Sequence, residues 1–219
     1  MSTQDDIKHP MELKVHWDRV YSEKSVNAVS WFQTRPDCSV RFLQKTGVDC
    51  MASIIDIGGG ASTLVDALLL AGYENLTVLD ISETALCVAK SRLDKLACRV
   101  SWLVADVTKA ALPAHNFDVW HDRAVFHFLT SSEDRSAYIK NILHSVKPNG
   151  HVIIATFAED GPVQCSGLQV VRYSPSSLHK ELGQSFDLVR HEKELHHTPS
   201  GKTQQFIYCY FRILSHAFD

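Results

Sequence analysis

Between residues 53 and 156, short apolar runs alternate with amphipathic stretches. The predicted strands, rich in β-branched residues, are 53–57, 76–79, 100–104, 117–120 and 151–156. The predicted helices between them are 62–71, 83–96 and 133–146. Because such alternation is typical of βαβ crossovers, it predicts an α/β fold with a mainly parallel sheet. The runs are nearly continuously apolar, as expected for strands covered by helices on both faces.

After residue 158 the pattern changes. It predicts a helix over 175–182, then two longer strands over 186–195 and 204–213, joined by a hairpin loop at 197–201. The turn residues 148–150 precede the fifth strand, and Ser82 is placed to cap the second helix. We therefore expect one domain over 1–219, with an N-terminal helical lid (1–50), a core (51–157) and a C-terminal part (158–219) that holds a substrate-side insertion and the hairpin.

Composition narrows the class of protein. The 219 residues include 22 Lys plus Arg against 25 Asp plus Glu, a formal charge of −3, which disfavours non-specific nucleic-acid binding. The six cysteines form no C-x-x-C pair, the N-terminus lacks an apolar signal core, and no run of about 18 apolar residues occurs. These features predict a cytoplasmic protein with reduced thiols that does not span a membrane. The 12 histidines lack metal-binding spacing, so no metal is expected.

A glycine turn follows the first predicted strand in I-I-D-I-G-G-G-A-S, with Gly58, Gly59 and Gly60 ahead of a helix. Glycines there allow a ligand to approach the backbone closely. A P-loop is excluded because no lysine follows, and a dinucleotide fingerprint would need glycine where Thr63 stands. Asp56 would repel a pyrophosphate but attract an ammonium group. S-adenosylmethionine, which carries an ammonium, a sulfonium and no phosphate, is the ligand predicted.

Two further acids end the next two strands. Asp80 is suited to bind two ribose hydroxyls, and Asp106 to accept from an adenine amino group while the amide of Val107 donates to a ring nitrogen. Ligands bind at the carboxyl ends of strands in open α/β sheets. We expect Ile81, next to Asp80, in the same site.

These motifs resemble those of the class I S-adenosylmethionine-dependent methyltransferases. D-I-G-G-G fits the first motif, L-D-I-S the acidic end of the second strand, and A-D-V the adenine end, over residues 53–157. The resemblance implies a Rossmann-like, seven-stranded, mainly parallel sheet with helices on both faces and an antiparallel last strand. Ser62 departs from the pattern, because many members have a third glycine there.

The fourth strand should end beside the first, close to the reacting group. Asp122 is therefore a candidate to hold an acceptor amine or act as a base, His127 is a second candidate, and Arg123 could clamp an acidic acceptor. The alternative is that Asp122 and Arg123 fix the loop by pairing with each other or with backbone. In the lid, Trp17, Tyr21, Trp31 and Phe32 could stack on the cofactor or simply anchor the N-terminal helices. We assign Trp31 to the cofactor site.

The acceptor is the open question. The stretch W-H-D-R-A-V-F-H-F-L is similar to the thiopurine methyltransferase group, whereas H-W-D-R-V-Y-S and V-S-W-F-Q are similar to the eukaryotic lysine methyltransferases that act on elongation factors. The leading hypothesis is a small-molecule methyltransferase. The alternatives are a protein lysine methyltransferase and a non-catalytic cofactor-binding regulator, with a nicotinamide-dependent oxidoreductase a distant fourth.

Two further sequence features are expected near the site. Cys165 is in a predicted loop, and the pair His196–His197 is expected in a solvated loop.

Overall fold

Residues 10–215 are described by the computed structural model of the chain. The helices are α1 (Pro10–Glu23), α2 (Asp37–Thr46), α3 (Leu64–Leu70), α4 (Glu83–Leu93), α5 (Ser132–Ser145) and α6 (Pro175–Leu182). The strands are β1 (Ser53–Ile57), β2 (Asn75–Asp80), β3 (Val100–Val104), β4 (Phe117–Arg123), β5 (Val146–Phe157), β6 (Gln164–Cys165), β7 (Leu168–Gln169), β8 (Phe186–His197) and β9 (Thr203–Ile213). Short 3₁₀ helices cover Val26–Ala28, Asp94–Arg99 and Phe126–Phe128.

Seven of the strands form one sheet in the order β3-β2-β1-β4-β5-β9-β8. All neighbours from β3 to β5 are parallel, and β9 runs antiparallel to both β5 and β8. The predicted fold class is therefore confirmed. The chain order reverses between β1 and β4, which makes this gap the topological switch point where ligands bind.

Both faces of the sheet are covered by helices. On one face α2, α3 and α4 bury side chains such as Phe42, Leu68 and Leu86 against the strands. On the other face α5 and α6 bury Ile142 and Leu178. Because neither face is open to water, the central strands are mainly apolar, and a polar side chain within them needs a specific partner.

Several boundaries differ from the prediction. The strand β4 continues to Arg123, so His121, Asp122 and Arg123 are strand residues. The predicted helix 83–96 stops at Leu93, because Asp94 takes a positive φ of 49° and a 3₁₀ turn follows. The predicted cap holds: Ser82 Oγ accepts from the amide of Ala85 at 3.1 Å.

The turn expected at 148–150 lies inside β5. Phe117 pairs with Val146 but Val119 pairs with His151, so the intervening residues bulge out of the sheet. Asn149 has a φ of 60°, the left-handed conformation that asparagine tolerates better than most residues. The fifth strand is therefore longer than predicted and contains its own turn.

The C-terminal part corrects two predictions. His196 and His197 belong to β8, and the hairpin loop spans residues 198–202, closed by the amide of Thr198 donating to Lys202 O. The expectation of a solvated loop is wrong for His196, which is buried with Nε2 2.8 Å from Ser30 O. Within 158–174, expected to be a loop, β6 and β7 form a hairpin that buries Cys165.

Candidate functional site

The predicted acids gather at one edge of the sheet. Because β1, β2 and β3 are parallel neighbours, their carboxyl ends carry Asp56, Asp80 and Asp106 to the same side. A cavity of about 140 Å³ opens above β2 and β3, and we call it the strand-end cavity. Its lining includes six of the residues predicted to bind the cofactor: Asp80, Ile81, Asp106, Val107, Gly58 and Trp31.

Asp80 is the most perturbed of these acids. Its Oδ1 accepts from the amide of Ser82 at 2.8 Å, and the amide of Gly60 also points to this carboxylate. Burial raises the pKa of Asp80 to about 7, and the negative charges of Asp56 and Asp18 add to the rise. A buried carboxylate held at the cavity wall is suited to accept hydrogen bonds from ligand hydroxyls.

Asp106 and Val107 sit farther along the same wall. Asp106 Oδ1 accepts from the amide and hydroxyl of Thr108 at 2.9 and 2.7 Å, which fixes the carboxylate at the strand end. Asn141 donates to Val107 O at 2.6 Å and so holds that backbone segment from α5. These fixed polar groups match the roles predicted for an adenine ring.

Packing, as well as ligand binding, explains why glycines occupy this turn. A Cβ on Gly58, whose φ is 62°, would lie 2.0 Å from Val125 Cγ2, and one on Gly60 would lie 2.7 Å from Asp80 Oδ2. A Cβ on Gly59 would lie 2.5 Å from Asp56 Oδ2. From outside, Arg92 donates to the carbonyls of Ala61 and Ser62 at 2.9 and 2.6 Å. The turn is therefore locked against the acids on either side of it.

A second cavity of about 50 Å³, the glycine-side cavity, lies beyond this turn. Asp56, Gly59, Ser39 and His121 are among its lining residues. Both cavities share Tyr21, Trp31, Ile57, Gly58 and Arg123, so they are two lobes of one site.

In the glycine-side cavity, the carboxylate of Asp56 is already hydrogen-bonded to another side chain. Its Oδ1 lies 2.7 Å from Nδ1 of His121, while its Oδ2 faces the glycine turn. His121 Nε2 in turn lies 3.0 Å from Ser39 Oγ on α2. Ser39 carries no sequence signal for this site, because it lies on α2, 14 positions before β1, and no pattern would place it there.

Aromatic side chains of the N-terminal segment form the roof of the strand-end cavity. Trp17 makes edge contacts with Trp31 and Phe128, with ring centroids 5.6 and 5.2 Å apart. Trp31 Nε1 donates to Tyr21 Oη at 3.2 Å. Phe32 lines the glycine-side cavity instead. The predicted aromatic set is thus brought to the site, with Phe128 added from the segment after β4.

The helix α1 that carries Trp17 is tied down by Asp18. The Asp18 carboxylate accepts from Ser82 Oγ at 2.7 Å and from the amide of Thr84 at 3.3 Å, at the beginning of α4. Lys14 pairs with it at 2.6 Å. A carboxylate at a helix N-terminus is favoured by the unpaired amides there. This anchor places the lid next to Asp80.

Arg123 holds the segment 30–33, which we call the strap. Its Nη1 donates to Trp31 O at 3.1 Å and its Nε to Tyr208 Oη at 3.0 Å, while Nη2 lies 3.6 Å from Glu194. Glu194 also accepts from Gln33 of the strap at 3.0 Å. Since Arg123 donates two hydrogen bonds inside the protein and its charge faces Glu194, its geometry favours fixing the strap over clamping an acidic acceptor.

Asp122 and His127 face away from both cavities. The Asp122 carboxylate is fully buried and accepts from the amides of Val125 and Phe126 at 2.9 and 3.0 Å and from Tyr138 Oη at 2.6 Å. Burial raises its pKa to about 6. His127 Nδ1 accepts from the amide of Phe157 at 3.2 Å, and burial lowers its pKa to about 3. Of the two alternatives left open for Asp122, this geometry favours the structural one.

The donor set fits the predicted cofactor. Asp80 and Asp106 with Val107 would hold its adenosyl half in the strand-end cavity, and Asp56 would face its ammonium group across the glycine turn. The chemistry of the two lobes therefore matches that of a ligand with a nucleoside at one end and a cation at the other.

Comparison with known proteins agrees with this cofactor assignment. Residues 54–150 match the model of a methyltransferase domain. Human EEF1A lysine methyltransferase 2 is 24% identical over 164 residues, 68% of this chain and 70% of that protein. Phosphoethanolamine N-methyltransferase 1 of Zea mays is 23% identical over 157 residues, 71% of this chain and 29% of that protein.

Among solved structures, Burkholderia thailandensis 1,6-didemethyltoxoflavin-N1-methyltransferase, with S-adenosylhomocysteine bound, has a TM-score of 0.69 at 16% identity. The match covers 97% of this chain and 93% of that one, and it shows the common fold.

The fold and the row of strand-end acids are typical of α/β proteins that bind a nucleoside at the switch point of the sheet. Together with the methyltransferase-domain match over residues 54–150, they support a class I S-adenosylmethionine-dependent methyltransferase. It is thus an enzyme, and S-adenosylmethionine is its cofactor. In the described part of the chain, no helix is long and apolar enough to cross a membrane.

Proposed function

We propose that this methyltransferase acts on a small molecule with a largely apolar body. The observation that carries the proposal is the fixed roof over the site. The strap is held by Arg123, and Ser30 O accepts from His196 of the C-terminal hairpin. Thr63 after the glycine turn donates to Gln33 O at 2.9 Å. A roof bonded on three sides favours an enclosed acceptor over a broad protein surface.

The walls support the same acceptor class. Beyond the acids, the strand-end cavity is lined mainly by apolar side chains: Leu13, Trp17, Val125, Phe128 and Leu129. The charge of Arg123 is offset by Glu194, so the site offers no free cation from the described residues to attract an acidic acceptor. Methyl transfer is an in-line displacement, so the protein's main contribution is to orient the acceptor atom and exclude water.

Within this proposal the cofactor roles follow the sequence prediction. Asp80 would accept from the ribose hydroxyls, Asp106 and Val107 would bind the adenine, and Asp56 would pair with the ammonium. Asp122 and His127 are assigned to holding the segment after β4, and Arg123 to holding the strap. The chain would then position the acceptor by shape, without a dedicated base at the end of β4.

A protein lysine acceptor is the second candidate. It is favoured by the matched relatives named as lysine methyltransferases, of which the human one aligns over 68% of this chain. Against it stands the bonded roof, which would have to open for a peptide.

An acceptor screen distinguishes the two. The purified enzyme is incubated with S-adenosylmethionine labelled in its methyl group and with cell extract divided by size into protein and small-molecule fractions. The Asp80→Ala variant serves as a matched control that lacks the ribose-binding carboxylate. Enzyme-dependent label in the small-molecule fraction is expected, and label confined to a protein band would replace the proposal with the lysine alternative.

A further inference from the structure

A chain of five buried or partly buried polar groups links the strap to the cofactor site. Arg123 Nε lies 3.0 Å from Tyr208 Oη, which lies 3.2 Å from Ser39 Oγ. Ser39 Oγ lies 3.0 Å from His121 Nε2, and His121 Nδ1 lies 2.7 Å from Asp56 Oδ1. The chain crosses three elements, β9, α2 and β4, before it reaches the end of β1.

The hydrogen bonds in this chain of polar groups all run in one direction, from Arg123 to Asp56. A guanidinium only donates, so Tyr208 Oη accepts from Arg123 and has its own proton left for Ser39. A carboxylate only accepts, so His121 donates to it from Nδ1; with a neutral imidazole, its Nε2 then accepts from Ser39. Each group therefore donates toward Asp56, and the tautomer of His121 follows from the two ends of the chain.

We propose that His121 is a positioning residue for the amino-acid end of the cofactor, with Ser39 and Tyr208 as its supports. By donating to Oδ1, His121 fixes the Asp56 carboxylate so that Oδ2 remains turned to the glycine turn, where an ammonium group would be bound. The inference rests on the ammonium-binding role proposed above for Asp56.

Burial makes this support necessary. Asp56 is 5% exposed and His121 is 2% exposed, in a sheet covered on both faces. A buried carboxylate without a hydrogen-bond donor is strongly disfavoured and would adopt another rotamer or bind a proton. Either change would remove the negative charge from the place where the ligand's ammonium must be held.

Ser39, His121 and Asp56 are hydrogen-bonded in the same order as the residues of a Ser-His-Asp hydrolase triad. Such a triad needs a serine hydroxyl presented to the substrate. Ser39 is 1% exposed, and Tyr208 Oη contacts its oxygen. Although Ser39 lines the glycine-side cavity, its hydroxyl is almost inaccessible and contacts both Tyr208 and His121, which favours a positioning role over nucleophilic catalysis.

Calorimetric titration of the whole protein with two ligands tests the proposal. S-adenosylhomocysteine carries the amino-acid end, whereas 5′-methylthioadenosine has the adenosyl thioether without it. In the His121→Phe variant we expect binding of S-adenosylhomocysteine to weaken about tenfold or more, because the hydrogen bond to a charged group is lost. Binding of 5′-methylthioadenosine should change less than about twofold, which also shows that the variant folds.

Two further variants make the result specific. In His121→Asn the amide nitrogen can replace Nδ1 as donor to Asp56, so this variant should recover most of the affinity for S-adenosylhomocysteine. In His151→Phe a comparable bond, between His151 Nδ1 and Tyr210 Oη at 2.7 Å, is removed on the same sheet outside both cavities. Both ligands should bind that control as they bind the unmodified protein.

The outcomes separate the inference from its premise. Equal losses for both ligands in His121→Phe, or no loss for either, would overturn the role of His121. If Asp56→Asn also leaves the affinity for S-adenosylhomocysteine unchanged, the ammonium-binding assignment itself is wrong. If Asp56→Asn weakens that affinity and His121→Phe does not, only the positioning role is refuted.

Discussion

Replacing Asp80 by asparagine should stabilise the cofactor-free protein while weakening cofactor binding. The pKa of Asp80 rises from 3.8 to about 7, mainly through burial. Between these pH values the folded protein keeps a proton that the unfolded chain has released, so stability falls as the pH rises. Asparagine does not titrate, so the variant lacks this fall.

The expected magnitude follows from the pKa. A rise from 3.8 to about 7 corresponds to roughly 4 kcal/mol of lost stability once the carboxyl is ionised. Asparagine can still accept from the amide of Ser82 but cannot accept at both positions, which costs about 1 kcal/mol. We therefore expect the variant to be more stable than the unmodified protein at pH 8 by about 1–3 kcal/mol, and to lose this advantage near pH 4.

Urea unfolding at several pH values from 4 to 8 measures the effect. The difference between the two proteins is the relevant quantity, because Asp122, whose pKa is also raised by burial, titrates in both. In parallel, titration with S-adenosylhomocysteine should show affinity reduced about tenfold to a hundredfold, as a charged acceptor for the ribose hydroxyls is lost. A variant less stable than the unmodified protein at pH 8 would refute the view that function, not stability, explains a carboxyl at residue 80.

Two other substitutions test the structural roles assigned to carboxylates near the site. Asp122→Asn replaces an acceptor of three hydrogen bonds, including that from Tyr138. Near pH 4, where the raised pKa of Asp122 does not yet lower the stability of the unmodified protein, the variant should unfold with a free energy about 1–3 kcal/mol lower and still bind S-adenosylhomocysteine. Full stability at that pH with reduced turnover would restore Asp122 as a catalytic candidate. Asp18→Ala removes the bond from Ser82 Oγ that holds α1, and should speed amide hydrogen exchange in α1 more than in the sheet. Unchanged exchange in α1 would contradict the anchoring role of Asp18.

Local patterns predicted the fold well because apolar runs, and the turn and capping residues beside them, mark where most elements begin and end. The bounds of β1, β3 and α6 agree with the prediction, as does the cap at Ser82. Where apolar periodicity is interrupted, the prediction was less accurate. The apolar run predicted for the fourth strand ends at Trp120, yet β4 continues through the polar residues to Arg123, because each of these side chains has a buried partner.

Only the residues expected to contact the ligand could be predicted from the sequence; the residues that support them could not. The acids at strand ends are recognisable from spacing, since parallel strands bring their carboxyl ends together. Their supports are not, because Ser39, Tyr208 and Glu194 come from α2, β9 and β8 and meet the site only through tertiary packing. The same holds for Cys165, which lines the strand-end cavity as a buried strand residue whose pKa burial raises to about 11, not as a loop thiol.

The placement of β9 has a consequence for how the chain is assembled. Although β9 follows β8 in sequence, it lies between β5 and β8, so β8 has no hydrogen-bonding partner in the sheet until β9 is in place. A fragment that ends before Thr203 would leave open the edge of β5, with the apolar side chains of Val152, Ile153 and Ile154 beside it. Unpaired apolar edges promote intermolecular strand pairing, and pairings of high sequence separation form slowly. Premature termination or proteolysis in the hairpin would therefore produce an aggregation-prone species, not merely an inactive one.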